Sequence, residues 1–303
     1  MNSTSPASSF AVSDLREGFS TPGAGLTDGS IGAILVRSGR LTAADAERIL
    51  RLSAERNLRF GDAALELGLL TQADIELALS RQYDYPYLMP GESAISAEVV
   101  AAYEPFTARV ESLRALRNQL MWRWFETAKD RRALAVTSAE HGDGRSYLAA
   151  NLAVVFSQQR QRTLLIDADL RNPRQHELFS LENRAGLSGV LAGRSGIEAI
   201  QRVPALLDLS VLTAGALAPN PSELLGRPAF GKLLADLAER YDVILIDTPP
   251  SDEYSDAQLV GSRAGAAVLV AHQNHSHVKK MRDLVGLLTD ARVHLVGTVL
   301  NDF

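Results

Sequence analysis

Cysteine is absent from all 303 residues, which excludes a disulfide framework and any thiolate metal site and is compatible with a reducing cytoplasm. No apolar run approaches the roughly 18–20 residues needed to span a bilayer; Ala264 to Ala271 is too short. No basic segment followed by an apolar block opens the chain, so no secretory signal is visible. Positive charge is not in excess either. Thirty-one Lys and Arg face 36 Asp and Glu, a net charge of −5, which gives no general attraction to nucleic acid or to an anionic membrane surface. These absences lead us to expect a cytoplasmic protein unless a partner holds it at a membrane. What is present is ordinary for a globular protein: 46% apolar and 22% charged residues, enough for a sizeable core. The length suits one large domain, or a large and a small one.

The first 29 residues are rich in Ser, Thr, Gly, Pro and Ala. They bury too little surface to offset chain entropy and read as a disordered tail. From Ile31 the chain repeats itself. Residues 31–50 align without gaps on residues 60–79, matching Gly32 with Gly61, Gly39 with Gly68, Leu41 with Leu70, Thr42 with Thr71 and Asp45 with Asp74. In each copy a short helix ends at a glycine suited to a left-handed C-terminal cap. A new helix then starts at Thr-x-x-Asp, a capping-box variant. Residues 30–88 are therefore expected to form a small all-α domain of two stacked helical hairpins, and 89–108 a linker. The alternating Tyr83, Tyr85 and Tyr87 fit extended chain or a cluster of phosphorylatable tyrosines.

The helical-hairpin module resembles the N-terminal domain of type II secretion and type IV pilus assembly ATPases. Some members of that family bind cyclic di-GMP through an Arg-Leu-Gly-like element before each first helix. Here the second copy has Arg59-Phe60-Gly61 and the first has Ser30-Ile31-Gly32. A docking module with glycine caps and a cyclic di-GMP site are both open readings. A DNA-binding helix-turn-helix is disfavoured, because no basic recognition face is present.

The remainder, 109–303, is organised around Ser138-Ala139-Glu140-His141-Gly142-Asp143-Gly144-Arg145-Ser146. An apolar run, Ala133 to Val136, precedes it and a helically spaced stretch, Leu148 to Phe156, follows. Strand, glycine-bearing loop, then helix is the context of a phosphate loop. Its inward backbone N–H groups and the helix N-terminus hold a polyphosphate. Strand candidates are Ala133–Thr137, Thr163–Asp167, Leu209–Leu212, Val243–Asp247, Ala266–Ala271 and Val293–Leu300, with helical stretches such as 228–240 and 276–291 between them. Near-continuous apolar strands with helical crossovers predict an α/β fold, a mostly parallel sheet with helices on both faces. Ligands in such sheets sit at the carboxyl ends of the strands. Asp167 and Asp169 end one buried strand and Asp247 another, beside the loop. Carboxylates there suit magnesium, a hard cation that takes oxygen ligands, with Ser146 placed to add a hydroxyl.

The three stretches V-T-S-A-E-H-G-D-G-R-S, L-L-I-D-A-D-L-R-N-P and I-L-I-D-T-P-P together resemble the bacterial tyrosine kinases of exopolysaccharide export and chain-length control, P-loop NTPases of the ParA/MinD type. The similarity is greatest to the stand-alone chain-length-determinant kinases, and Asn220 to Leu225 is another family stretch. The resemblance implies an ATP-dependent protein-tyrosine kinase with ATP and Mg2+ as cofactors. Gly142, Asp143, Gly144, Arg145 and Ser146 would cradle the phosphates, with Tyr147 beside them and Asn301 contacting adenine. Asp167 would be the catalytic base, with Ser146, Asp169 and Asp247 organising magnesium and Arg171 near the phosphates or the acceptor. Glu111, Arg114 and Arg117 resemble a ring-oligomerisation motif. The implied partners are a separate transmembrane chain-length determinant protein and further copies of this chain, with no nucleic acid.

Three departures stand out. Arg145 occupies the loop's usual lysine position, where a planar fork replaces a compact point charge. Relatives end in clustered tyrosines, whereas the last residues here are Asn301-Asp302-Phe303; Tyr254, which follows the Asp247 carboxylate, is a candidate for modification. The membrane half of many relatives would have to be a separate chain. Two other functions compete with the kinase. One is a non-catalytic nucleotide switch controlling assembly. The other is a ParA/MinD-type partitioning ATPase, disfavoured because Glu140 stands where that class has its signature lysine.

Overall fold

The computed structural model describes residues 30–82, 88, 91, 93–128 and 130–302, in two compact units that divide at Tyr85 and Pro86. The expected N-terminal tail and Tyr83, Tyr85 and Tyr87 lie outside the described residues.

The first unit comprises α1 (Ile31–Arg37), α2 (Ala43–Arg56), α3 (Phe60–Glu66) and α4 (Gln72–Gln82). Helices α1 and α2 join through Gly39, α3 and α4 through Gly68, both with φ in the left-handed region at 71° and 62°. Thr42 Oγ1 accepts from the Asp45 N–H at 3.1 Å. The second copy closes the box in both directions, Asp74 N–H to Thr71 Oγ1 at 3.2 Å and Thr71 N–H to Asp74 Oδ2 at 2.9 Å. Equivalent positions of the repeat are buried in both copies: Leu35 with Ala64, Leu41 with Leu70, Ala46 with Ile75 and Ile49 with Ala78. Packing of α1 on α4 and α2 on α3 buries them together. The copies differ at the start of their first helices. Ser30 caps α1 by accepting from the Ala33 N–H, whereas Arg59, the corresponding residue, precedes α3 without a side-chain cap.

The second unit continues with α5 (Val100–Tyr103), α6 (Ala108–Leu120), a π-helical turn at Met121–Phe125, β1 (Ala133–Ser138), α7 (Arg145–Ser157), β2 (Thr163–Asp167), α8 (Gln175–Leu178), α9 (Leu187–Leu191), β3 (Gln201–Arg202), β4 (Leu209–Leu212), α10 (Pro221–Gly226), α11 (Pro228–Ala238), β5 (Val243–Asp247), α12 (Asp256–Ala264), β6 (Ala266–His272), α13 (Val278–Asp290) and β7 (His294–Asn301). The strands form one sheet in the order β3-β4-β2-β5-β1-β6-β7. All neighbours are parallel except β3 on β4. Side chains alternate between the faces of a strand. Leu134 and Val136 of β1 accordingly join the core with α7, while Ala133 and Ala135 face the core with α11 and α12. Both faces are covered, which is why the central strands read as unbroken apolar runs.

The described part of the expected linker is built into this core. Ile95, Val99, Val100 and Tyr103 are buried there. Asn151 of α7 accepts from the Ala101 N–H at 2.9 Å and donates to the Glu98 carbonyl at 3.0 Å. Gln158 donates to the Ala101 carbonyl at 2.9 Å. The expected self-association face on α6 also needs correction at Arg117. That side chain is buried and donates to the Val155 carbonyl of α7 at 2.9 Å, while Glu111 and Arg114 pair with each other nearer the surface.

Candidate active site

The loop between β1 and α7 needs two glycines for conformational reasons. Gly142 and Gly144 have φ of 83° and 90°, a region costly for any residue with a Cβ. Gly144 is the N-cap of α7, so the helix begins at Arg145, three residues before the expected Leu148. Its first amides and dipole thus face the space enclosed by the loop, the arrangement that favours an anion.

Arg145, expected to serve the phosphates, has its guanidinium engaged inside the protein. It is only 6% exposed. Its Nε donates to the Thr248 carbonyl at 2.8 Å, and its Nη1 to the Glu140 carbonyl at 2.6 Å and to Ser138 Oγ. Burial pulls its pKa down, while the nearby carboxylates of Asp247, Asp169, Asp143 and Asp252 pull the other way. An arginine stays charged under any such balance. The fork ties both ends of the loop to the chain just beyond β5.

Other loop side chains are also spent on bracing. Asp143 is fully buried: it accepts from the Glu140 N–H at 2.9 Å and from Ser276 Oγ at 2.5 Å. Its carbonyl accepts from Asn301 Nδ2 at 2.7 Å, so the Asn301 amide expected at the adenine donates to the loop. Glu140 binds Lys280 Nζ at 2.7 Å and the His277 N–H at 2.7 Å; Lys280, first, and His277 hold its carboxyl down at about 2. The segment from β6 into α13 thereby clamps the phosphate loop. Tyr147 sits half-buried one turn in, packed against the α7 core, with burial raising its pKa and Arg109 opposing the rise.

The acidic cluster lies where the strands end. Asp167 of β2 and Asp247 of β5 are register partners on adjacent parallel strands, both fully buried. Asp167 Oδ2 accepts from the backbone N–H of Arg174 and of Gln175 at 3.0 and 2.9 Å. Burial, then the charge of Asp247, still raise its pKa well above the usual carboxylate range. Asp247 is pushed up to about 6 by burial, offset by the neighbouring Ser146 hydroxyl and the Gln175 amide. Asp169 turns its carboxylate back onto its own loop, accepting from the Asn172 N–H at 2.8 Å and the Arg171 N–H at 3.2 Å.

Gln175 belongs to none of the sequence motifs. Its side chain is fully buried and donates to Asp247 Oδ2 at 2.8 Å and to the Ser146 carbonyl at 3.1 Å. Arg171 faces away from this group of contacts. Its guanidinium pairs with the buried Asp256 at 2.9 Å, donates to Ser222 Oγ at 2.9 Å, and stacks 3.7 Å from the Tyr254 ring centroid.

The residues fit a magnesium ion. Asp247 Oδ1 is buried without a hydrogen-bond partner, an acceptor that a cation or its water would satisfy. Among the described residues no three His, Asp or Glu side chains converge as a metal cage.

A strand–loop–helix cradle, with carboxylates ending the two neighbouring strands of a parallel sheet, defines a P-loop NTPase of ParA type. The ParA family model described as "NUBPL iron-transfer P-loop NTPase" matches residues 129–302. Tyrosine-protein kinase YwqD of Bacillus subtilis (strain 168) is 35% identical over 209 residues, covering 69% of this chain and 87% of that protein. Tyrosine-protein kinase Wzc of Salmonella typhimurium is 34% identical over 205 residues, 68% of this chain but only 28% of that much longer protein. The solved kinase domain of the Escherichia coli tyrosine kinase ETK is similar at a TM-score of 0.64 and 35% identity, over 67% of this chain and 79% of that domain. This chain belongs to the bacterial tyrosine-protein kinases.

Proposed function

We propose that the protein is an ATP-dependent protein-tyrosine kinase that acts with a separate transmembrane chain-length protein in exopolysaccharide synthesis and export. The observation that carries this reading is the pair of buried carboxylates, Asp167 and Asp247, in register beside the phosphate loop. Backbone amides of residues 142–146 cradle the ATP phosphates. Ser146 and Asp247 would hold the magnesium ion, which when bound neutralises phosphate charge, while Asp169 braces the loop after β2. An acceptor tyrosine oxygen attacks the γ-phosphorus as the bond to the β–γ bridging oxygen breaks. ADP leaves and the hydroxyl proton passes to Asp167. A base with an elevated pKa is suited to this, because proton transfer is most effective when the pKa lies near the working pH.

The contacts of Arg145 favour a second reading, in which ATP occupancy sets assembly and no phosphate is transferred. Incubation of the purified chain with γ-labelled ATP and Mg2+, alone and with the cytoplasmic segment of a membrane partner, separates the two. Phosphotyrosine on either protein, lost in EDTA, is the expected result. Bound ATP with no covalent label selects the switch instead.

A further inference from the structure

We infer that Gln175 is a positioning residue for the phosphoryl-transfer site, one that sets the Asp247 carboxylate against the Ser146 end of the phosphate loop and offers its own oxygen to the hydration shell of the incoming cation. The inference rests on the magnesium–nucleotide part of the reading above.

Three elements meet in this one residue. Its backbone N–H donates to Asp167 Oδ2 at 2.9 Å, and its side-chain Nε2 donates to Asp247 Oδ2 at 2.8 Å and to the Ser146 carbonyl at 3.1 Å. The end of β2, the end of β5 and the first turn of α7 are thereby tied to the start of α8. Orientation of the carboxamide follows from chemistry, since both Nε2 partners are acceptors and the opposite rotation would set oxygen against oxygen. That rotation leaves Oε1 buried with no partner, like Asp247 Oδ1. Buried polar atoms are nearly always paired. Two unpaired acceptors, one on Asp247 and one on the amide bound to it, call for a donor that arrives with a ligand. A water bound to a divalent cation is such a donor, and hydrogen-bonded partners behind a ligating carboxylate fix its orientation.

Replacing Gln175 by Met keeps the length and removes both functions. In the full chain, we expect Gln175→Met to fold and to bind a fluorescent ATP analogue in EDTA as the wild type does. The Mg2+ concentration that half-saturates the metal-dependent part of binding should rise about tenfold, in line with losses at residues behind a ligand. The turnover number should fall by a similar factor, with KM for ATP at saturating Mg2+ moving less than about threefold. Gln175→Asn, too short to reach both partners, should show the same shift and serves where the Met variant does not fold. A folded variant with unchanged Mg2+ dependence overturns the inference. Because Mg2+ dependence is read from binding, failure of the wild type to transfer phosphate would count against the kinase and not against Gln175.

Discussion

Asp167→Asn is expected to lower phosphoryl transfer by about 10²–10⁴-fold, the usual contribution of a general base, while ATP affinity changes only a few-fold. The amide oxygen of asparagine can still accept from the Arg174 and Gln175 N–H groups, so the loop should keep its shape. What disappears is the proton acceptor. The same substitution should stabilise the nucleotide-free protein at alkaline pH. Burial and Asp247 hold the Asp167 pKa above its unfolded value, and Asp247 itself rises from 3.8 to about 6. A carboxyl with a raised folded pKa contributes stability that is fully present below its unfolded value and is lost as pH rises through the folded one. For Asp247 that loss is about 3 kcal/mol well above pH 6, at roughly 1.4 kcal/mol per unit. Thermal denaturation without nucleotide should therefore show Asp167→Asn melting above the wild type at pH 8 and close to it at pH 4. Higher stability with lost transfer is the signature of charge confined for function.

Arg145→Ala should act in the opposite sense, on the fold more than on the ligand. Its removal strips donors from the buried Thr248 and Glu140 carbonyls and from Ser138, and leaves the acidic cluster without its internal counter-charge. Breaking such a buried arrangement from one side costs about 3–5 kcal/mol, or roughly a 10 °C fall in melting temperature for a unit of this size. Among folded molecules, affinity for magnesium–ATP should fall less than about tenfold, because the loop amides and the cation carry the phosphates. Arg145→Lys keeps the charge but cannot fork, and its melting temperature should lie between those of the wild type and Arg145→Ala. An unchanged melting temperature combined with a loss of ATP binding of about 100-fold or more would mean that the guanidinium serves the phosphates directly.

Much of this architecture was legible because the central strands are buried on both faces. The apolar runs at Thr163–Asp167, Leu209–Leu212 and Val243–Asp247 coincide with β2, β4 and β5, and each ends where its side chains turn polar. Strand β3 has no signature in the sequence, since two residues on an antiparallel edge carry no pattern. The segment expected as a linker, 89–108, contributes Ile95, Val99, Val100 and Tyr103 to the core. On α6 the spacing of Glu111, Arg114 and Arg117 is deceptive. At 3.6 residues per turn, i and i+6 lie about 120° apart around a helix, which turns Arg117 onto α7. Within the site, Asp167 and Asp247 could be named from their strands, but their pairing is a matter of register. Arg145 and Asp143 read in the sequence as loop residues facing a ligand; each faces inward, toward partners within the loop and toward Thr248 and Ser276, which are distant in sequence. Gln175 offered no signal at all, one polar residue among several in a short turn.

The most direct measurement is a crystal structure of the full chain with a non-hydrolysable ATP analogue and Mg2+. The triphosphate is expected on the amides of residues 142–146, the cation beside Ser146 and Asp247, and the γ-phosphate facing Asp167, with Arg145 Nε still within hydrogen-bond distance of the Thr248 carbonyl. A guanidinium swung onto the phosphates, or a γ-phosphate remote from Asp167, would contradict this arrangement.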